Sequence, residues 1–232
     1  MTTQSLYLTG DYLLKNPAWH VEESPWKAKQ VLRMLRQNNL SPKRICDVGC
    51  GAGEVLSQLQ RNLNDDCEFW GYDISPQAVS LARIRRNDRL HFKLANLKSE
   101  GTSFFDLILA LDVMEHIEDC WSFLRQLNTK SSYKIFHIPL DLSVQTVFRP
   151  SGLLKRRDLY GHLHYFTKQT ALALLKDTGY QVLDYFYTPR SIDLGSERAE
   201  KLLNIPRRLF FPLNQDLTVR LFGGFSLLVL AQ

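Results

Sequence analysis

Asp47-Val48-Gly49-Cys50-Gly51-Ala52-Gly53 sets three glycines at alternate positions behind an acid. Glycine in such a run means a positive φ or a close approach of backbone to a ligand. "RICDVG" is a short apolar run read as a buried strand. "EVLSQLQRNL" repeats Val55, Leu56, Leu59 and Leu63 at a helical period. Strand, turn and helix start together present unpaired N–H groups, a place where something can be held. A dinucleotide-binding turn would read Gly-x-Gly-x-x-Gly. Here the third glycine arrives one residue early, and Asp47 is an acid that a phosphate site would avoid.

The elements that must position this turn follow a regular rhythm. "CEFWGYDIS" reads as the next strand and ends in Asp73, after which Ser75-Pro76 opens the helix "PQAVSLARIRR". "LHFKLAN" is a third strand, and the near-continuous apolar run "FFDLILALDV" suits a central strand buried on both faces. "IEDCWSFLRQLN" reads as a helix, "YKIFHIPL" as a strand, "KQTALALLKDTGY" as a helix stopped by Gly179 and "QVLDYFYTP" as a strand. After these come "ERAEKLLN", a Pro-interrupted "IPRRLFFPLN" and a final strand, "GFSLLVLAQ". The alternation predicts an α/β fold, a mostly parallel sheet with helices on both faces. Residues 1–40 read as an N-terminal helical cap, in which Ser24 before Pro25 caps the helix "SPWKAKQVLRMLRQNN". Residues 41–232 form the main domain. Residues 141–165 show no clear strand and are expected to make a lid-like excursion over the sheet's carboxyl edge.

The Asp47–Gly53 stretch closely resembles motif I of the class I S-adenosylmethionine-dependent methyltransferases. "LALDVMEHIED" resembles the D-V-(L/M)-E-H stretch of that family's small-molecule branch, the methyltransferase type 11/12-like proteins. The resemblance implies a Rossmann-like sheet of seven strands with the last one antiparallel. It implies S-adenosylmethionine as cofactor and S-adenosylhomocysteine as product. Gly49, Cys50, Gly51 and Gly53 would then lie against its methionyl and ribose portions, and its positive charges suit Asp47. Asp73 would accept the ribose hydroxyls, Ile74 would face adenine and Asn96 the adenine amino group. Leu111 or Asp112 would approach the methionyl end. In this family N-terminal helices close over the site, so Trp19 or Trp26 would wall the pocket and Lys27 would meet the cofactor carboxylate. An aromatic hinge packing the cap onto the domain explains the same residues.

The methyl acceptor leaves a fainter trace. Nucleobase amino methyltransferases carry an Asn/Asp-Pro-Pro-aromatic tetrad where this chain reads Leu111-Asp112-Val113-Met114. Transfer to a hydroxyl needs alignment and removal of a proton, work suited to a histidine on a lid. The candidates are His162 and His164 in "GHLHYFT", which alternate along an extended stretch, and His137 in "FHIPLD". Thr167 would cap the following helix, with a neighbouring histidine merely bonding the loop. His116, beside Glu115 at a helix beginning, reads as structural. Tyr160 and the basic groups of "LLKRRDLYGHLHYF" suggest an amphiphilic or anionic small-molecule acceptor, with oxygen slightly favoured. "IPRRLFFPLN" has the flavour of a peripheral membrane contact, although solvated arginines on ordinary helices explain both segments.

Bulk composition narrows the classes further. The chain has 232 residues, 44% hydrophobic and 23% charged, with a formal net charge of +5. No basic stripe with interleaved aromatics marks a nucleic-acid surface. Cys46, Cys50, Cys67 and Cys120 contain no C-x-x-C pair, so neither a metal site nor a disulfide framework is expected. The N-terminus has no signal-peptide pattern, and a cytoplasmic location is expected. Three rivals stay open: an RNA or protein methyltransferase, a non-catalytic cofactor-binding partner subunit and, more distantly, a dehydrogenase. Oligomeric state has no trace in the sequence.

Overall fold

Seven strands make one sheet in the order β3-β2-β1-β4-β5-β7-β6. The computed structural model describes residues 7–96, 104–149, 151–195 and 198–232. The strands are β1 (Arg44–Val48), β2 (Glu68–Asp73), β3 (Leu90–Leu94), β4 (Phe105–Leu111), β5 (Ser131–Pro139), β6 (Val182–Thr188) and β7 (Ser226–Ala231). β1 to β5 pair in parallel, whereas β7 runs antiparallel between β5 and β6.

Alternate side chains of the central strands feed two cores. Ile45, Leu107 and Leu109 face one, together with Ala28, Val31, Met34 and Leu35 from α2 (Ser24–Gln37) and Leu56 and Leu59 from α3 (Glu54–Gln60). Cys46, Ile108, Ala110 and Phe136 face the other, against α5 (Cys120–Asn128) and α8 (Lys168–Asp177). A strand covered on both sides must be apolar throughout, which is why β4 reads "FDLILAL" with one acid near its start. Ser75 caps α4 (Pro76–Arg83), Asp119 caps α5, and Thr167 and Thr170 form a capping box on α8.

Two local expectations need correcting, and a third gains detail. Ser24 is the first residue of α2 and caps nothing, because a 3₁₀ turn at Val21–Glu23 feeds the helix directly. The excursion at 141–165 is largely helical, forming α6 (Val144–Phe148) and α7 (Ser151–Tyr160). No side chain of α7 is buried, so its sequence carries no apolar stripe to betray it. "ERAEKLLN" and "IPRRLFF" join as one helix, α10 (Arg198–Phe210), with Pro206 inside it. Leu202, Ile205 and Leu209 are exposed on that helix. A short α9 (Arg190–Asp193) precedes it and α11 (Gln215–Phe222) follows. No described helix is long and apolar enough to cross a membrane.

The cap and the excursion meet over the carboxyl ends of the strands. Tyr7 Oη donates to the Tyr160 carbonyl at 2.8 Å. Lys15, at the end of α1 (Asp11–Lys15), donates to the Asp158 carbonyl at 2.8 Å, and the rings of His20 and Tyr160 lie 5.7 Å apart.

Candidate active site

β1 leads to β2 and β3 on one side of the sheet, and β4 leads to β5 on the other. The crevice between the carboxyl ends of β1 and β4 is therefore the switch point where open α/β sheets bind ligands. The glycine turn lies there. It hangs on the end of β2, because the N–H groups of Gly49 and Cys50 both donate to the Tyr72 carbonyl at 2.8 and 3.1 Å.

Gly49, Gly51 and Gly53 have φ of +75°, +54° and +77°. Each also has a side chain pressed against its Cα. A Cβ on Gly49 would meet Val113 at 2.7 Å, one on Gly51 would meet the Trp19 ring at 2.7 Å, and one on Gly53 would run into the Phe92 ring. Gly53→Ala should lose about 2–4 kcal/mol of stability in chemical denaturation, since left-handed strain and overpacking add.

Two cavities adjoin this turn. One, of about 310 Å³, is lined by Tyr72, Asp73, Ile74, Asn96 and Ile117. The other, of about 260 Å³, is lined by Asp47, Gly49 to Gly53, Leu111, Glu115, Asp141, Arg156, Tyr160 and His162. Tyr12, Trp19, Gly49, Asp112 and His116 line both, so they form the partition. Trp19 thus lies between the two cavities, and Tyr160 lines the smaller one.

At the floor of the larger cavity, Asp73 Oδ2 accepts the Gly51 N–H at 2.9 Å and Oδ1 accepts the Ser75 N–H at 2.8 Å. Burial raises its carboxyl above the usual range, and these backbone donors pull against that. Asp47 is buried without a hydrogen-bond partner on Oδ1, and burial pushes its carboxyl up to about 8.

Asp112 directly follows β4 in a left-handed conformation, φ +56°. Lys27 Nζ lies 2.6 Å from its Oδ2, and His137 Nδ1 lies 2.6 Å from its Oδ1. Burial disfavours the Asp112 charge, but His137 and Lys27 outweigh it and hold the carboxyl well below the usual range. The cap helix is thereby tied to β4 and β5 at the partition.

Four residues named from the sequence stand elsewhere than expected. Lys27 lines the smaller cavity but is paired with Asp112, so it is not a free cation for a carboxylate. Trp26 lines neither cavity; its indole N–H donates to Asp193 Oδ2 at 2.8 Å and its ring meets His137 edge-on. His137 is buried between Asp112 and Thr188 Oγ1 and does not line a cavity. His164 Nε2 bonds the Ile117 carbonyl at 2.8 Å, away from both linings. His162 does line the smaller cavity, with Nδ1 2.7 Å from Asp141 Oδ2. Arg156 holds the other Asp141 oxygen at 3.2 Å.

Glu115 and His116, read from sequence as a helix start, sit in the wall beside His162. Burial pushes the Glu115 carboxyl well above its ordinary range, with Asp112 and Asp141 adding to the effect. Burial lowers His116 to about 3, and His162 adds to it. Both follow an acid just past the end of a strand, at the switch point, and that position was the available signal.

Residues 20–185 match the methyltransferase domain family. The chain belongs to that family. As one of its members, it is 26% identical over 119 residues to the ubiquinone biosynthesis O-methyltransferase of Xanthomonas oryzae pv. oryzae, covering 46% of this chain and 48% of that protein. It is 30% identical over 115 residues to norajmaline N-methyltransferase of Rauvolfia serpentina, covering 43% and 38%. The chain thus spans about half the length, or less, of the curated relatives it matches. The structure of magnesium protoporphyrin IX methyltransferase from Synechocystis PCC 6803 with bound SAM superimposes with a TM-score of 0.62 at 15% identity, over 100% of this chain and 98% of that one. The seven-stranded Rossmann-like fold of this methyltransferase-family chain is thereby shared with a solved structure.

Proposed function

We propose that this chain binds S-adenosylmethionine and transfers its methyl group to a small molecule, with a hydroxyl oxygen as the favoured acceptor. The observation that carries the reading is the divided cleft at the switch point. Asp73, Ile74 and Asn96 line one chamber, suited to a nucleoside. Asp47, Glu115 and His162 line the other, with the glycine turn at the join. The glycines fit such a cofactor because they leave bare backbone, without side chains, along the wall beside a buried, unpartnered Asp47 oxygen. When bound, the cofactor supplies a methyl carbon activated by a sulfonium leaving group.

The chain's own residues divide the remaining work. Asp73 holds the ribose, and Trp19 and Tyr160 exclude water from the join. His162, oriented by Asp141, is placed to take the proton that an acceptor hydroxyl gives up as the new C–O bond forms. A chamber of about 260 Å³ roofed by α7 favours a small acceptor over an RNA or a protein chain. Its charged lining favours a neutral acceptor over the anionic one suggested by the sequence. Lys27, Arg156 and Arg190 are each already paired, with Asp112, Asp141 and Glu23, so none of these three cations is left for an anion. Its similarity to an O-methyltransferase supports oxygen, and its similarity to an N-methyltransferase keeps nitrogen as the second reading.

Calorimetric titration of S-adenosylhomocysteine and of NAD tests the cofactor assignment. Saturable binding of the first alone is expected; binding of NAD alone would overturn it. Once a phenolic acceptor is found, His162→Ala should lower turnover by about 10²- to 10⁴-fold, the usual weight of a positioned base. His164→Ala should leave turnover and cofactor affinity close to the parent's, because its ring is spent on Ile117.

A further inference from the structure

The wall of the smaller cavity away from the glycine turn holds three side chains that methyl transfer by positioning alone does not need. Glu115 is 1% exposed, and neither carboxylate oxygen has a hydrogen-bond partner. A carboxylate taken out of water with nothing to bond is among the costlier arrangements a fold can keep. One ring nitrogen of His116, Nδ1, is likewise buried and without a hydrogen-bond partner, while its Nε2 lies 3.7 Å from Glu115 Oε1, beyond hydrogen-bond reach. His162 spends Nδ1 on Asp141, which leaves its Nε2 for a ligand, and its ring lies 4.9 Å from that of His116. Single ligand atoms from Glu115, His116 and His162 all lie within 4.8 Å of one another.

We propose that Glu115, His116 and His162 form a site for a divalent transition-metal ion at the acceptor end of the cavity. Two imidazoles and one carboxylate are a donor set suited to zinc, iron(II), cobalt(II) or manganese(II), and three protein ligands leave coordination positions open. The surroundings are built as ligand supports usually are. Asp141 fixes the His162 ring and its tautomer, and Arg156 fixes Asp141. The Glu115 carbonyl accepts the N–H groups of Leu163 and His164 at 2.7 and 3.2 Å, which clamps the Met114–His116 turn to the segment carrying His162. The ligands thus come from two pieces of backbone bonded to each other.

The role of the ion rests on the methyltransferase reading, but its binding does not. With the ion present, an acceptor hydroxyl in the open positions would be oriented and made more acidic, its proton leaving to solvent, so that His162 would serve as a ligand in place of the base of the proposed function. Titration of cobalt(II) into the chelator-stripped protein, followed by visible ligand-field bands and calorimetry, should show one equivalent bound without thiolate charge-transfer absorption. Glu115→Gln and His162→Ala should each weaken cobalt and zinc binding by at least about tenfold, and Asp141→Asn by about 10- to 100-fold. Retained S-adenosylhomocysteine binding by the variants shows that they are folded. No uptake by the parent protein, or equal uptake by Glu115→Gln and His162→Ala, would overturn the site. Cobalt binding without any S-adenosylhomocysteine binding would sink the proposed function and leave the metal site standing.

Discussion

Replacing Asp73 with asparagine should weaken S-adenosylhomocysteine binding by about a hundredfold, roughly 2.7 kcal/mol. The carboxylate has about four lone-pair directions, which the Gly51 and Ser75 N–H groups, with a further contribution from the Ile74 N–H, take only in part. What remains can accept from the ribose, and a hydrogen bond to a charged acceptor contributes about 1.5–3 kcal/mol. Asparagine keeps the shape but replaces one acceptor by an NH₂ that would face a backbone donor. Part of the loss would therefore come from a disturbed turn. Comparing S-adenosylhomocysteine with its 2′-deoxy counterpart separates the two effects. The parent should prefer the hydroxylated ligand by about tenfold or more, and Asp73→Asn should bind both alike, because only the direct contact couples ligand hydroxyl to carboxylate. Unchanged affinity in Asp73→Asn would remove the residue from the ribose.

The same residue shows which parts of the site can be read from a sequence. Asp73 and the glycines are fixed by local chemistry: a strand ends, a turn needs positive φ, a helix begins. Those signals survive in a linear string. Individual strands were legible for a similar reason, since β4 and β7 must be apolar wherever both faces are covered, whereas the count of seven and the antiparallel last strand follow from the family resemblance. The partners of Lys27, His137 and His162 were not legible. Each is chosen by an element far along the chain, and one residue in the register of β5 would have given Asp112 another neighbour. α7 escaped because it buries no side chain, and a helix without an apolar stripe looks like a loop. Glu115 was named only as a helix start, because nothing in its spacing records that its carboxylate would be enclosed without a partner.

Binding of S-adenosylmethionine should strengthen by about tenfold between pH 6 and pH 7 and carry a proton release that changes the calorimetric enthalpy with the buffer used. The cause is Asp47. It is 3% exposed, and burial raises its carboxyl to about 8, with Asp73 adding to the effect and Lys27 opposing it. In the unfolded chain it ionises near its ordinary value of about 3.9. Between those two values the folded chain holds a proton that the unfolded chain has lost. This group therefore weakens the fold progressively from about pH 4 to pH 8, by a few kcal/mol in all. Asp47→Asn should accordingly raise the melting temperature of the ligand-free protein at pH 8 and leave it nearly unchanged at pH 4. A cationic ligand beside the turn reverses the preference: it favours the ionised carboxylate and drives the proton off. In Asp47→Asn the stabilised protein should bind S-adenosylmethionine more weakly, with neither the pH slope nor the buffer dependence. S-adenosylhomocysteine, which lacks the sulfonium charge, should show a shallower slope in the parent. Affinity that stays flat from pH 6 to pH 7, with an enthalpy indifferent to buffer, would mean that the bound cofactor never meets an ionised Asp47. The acid behind the glycines would then be a buried structural group, and its cost to the fold would need another explanation.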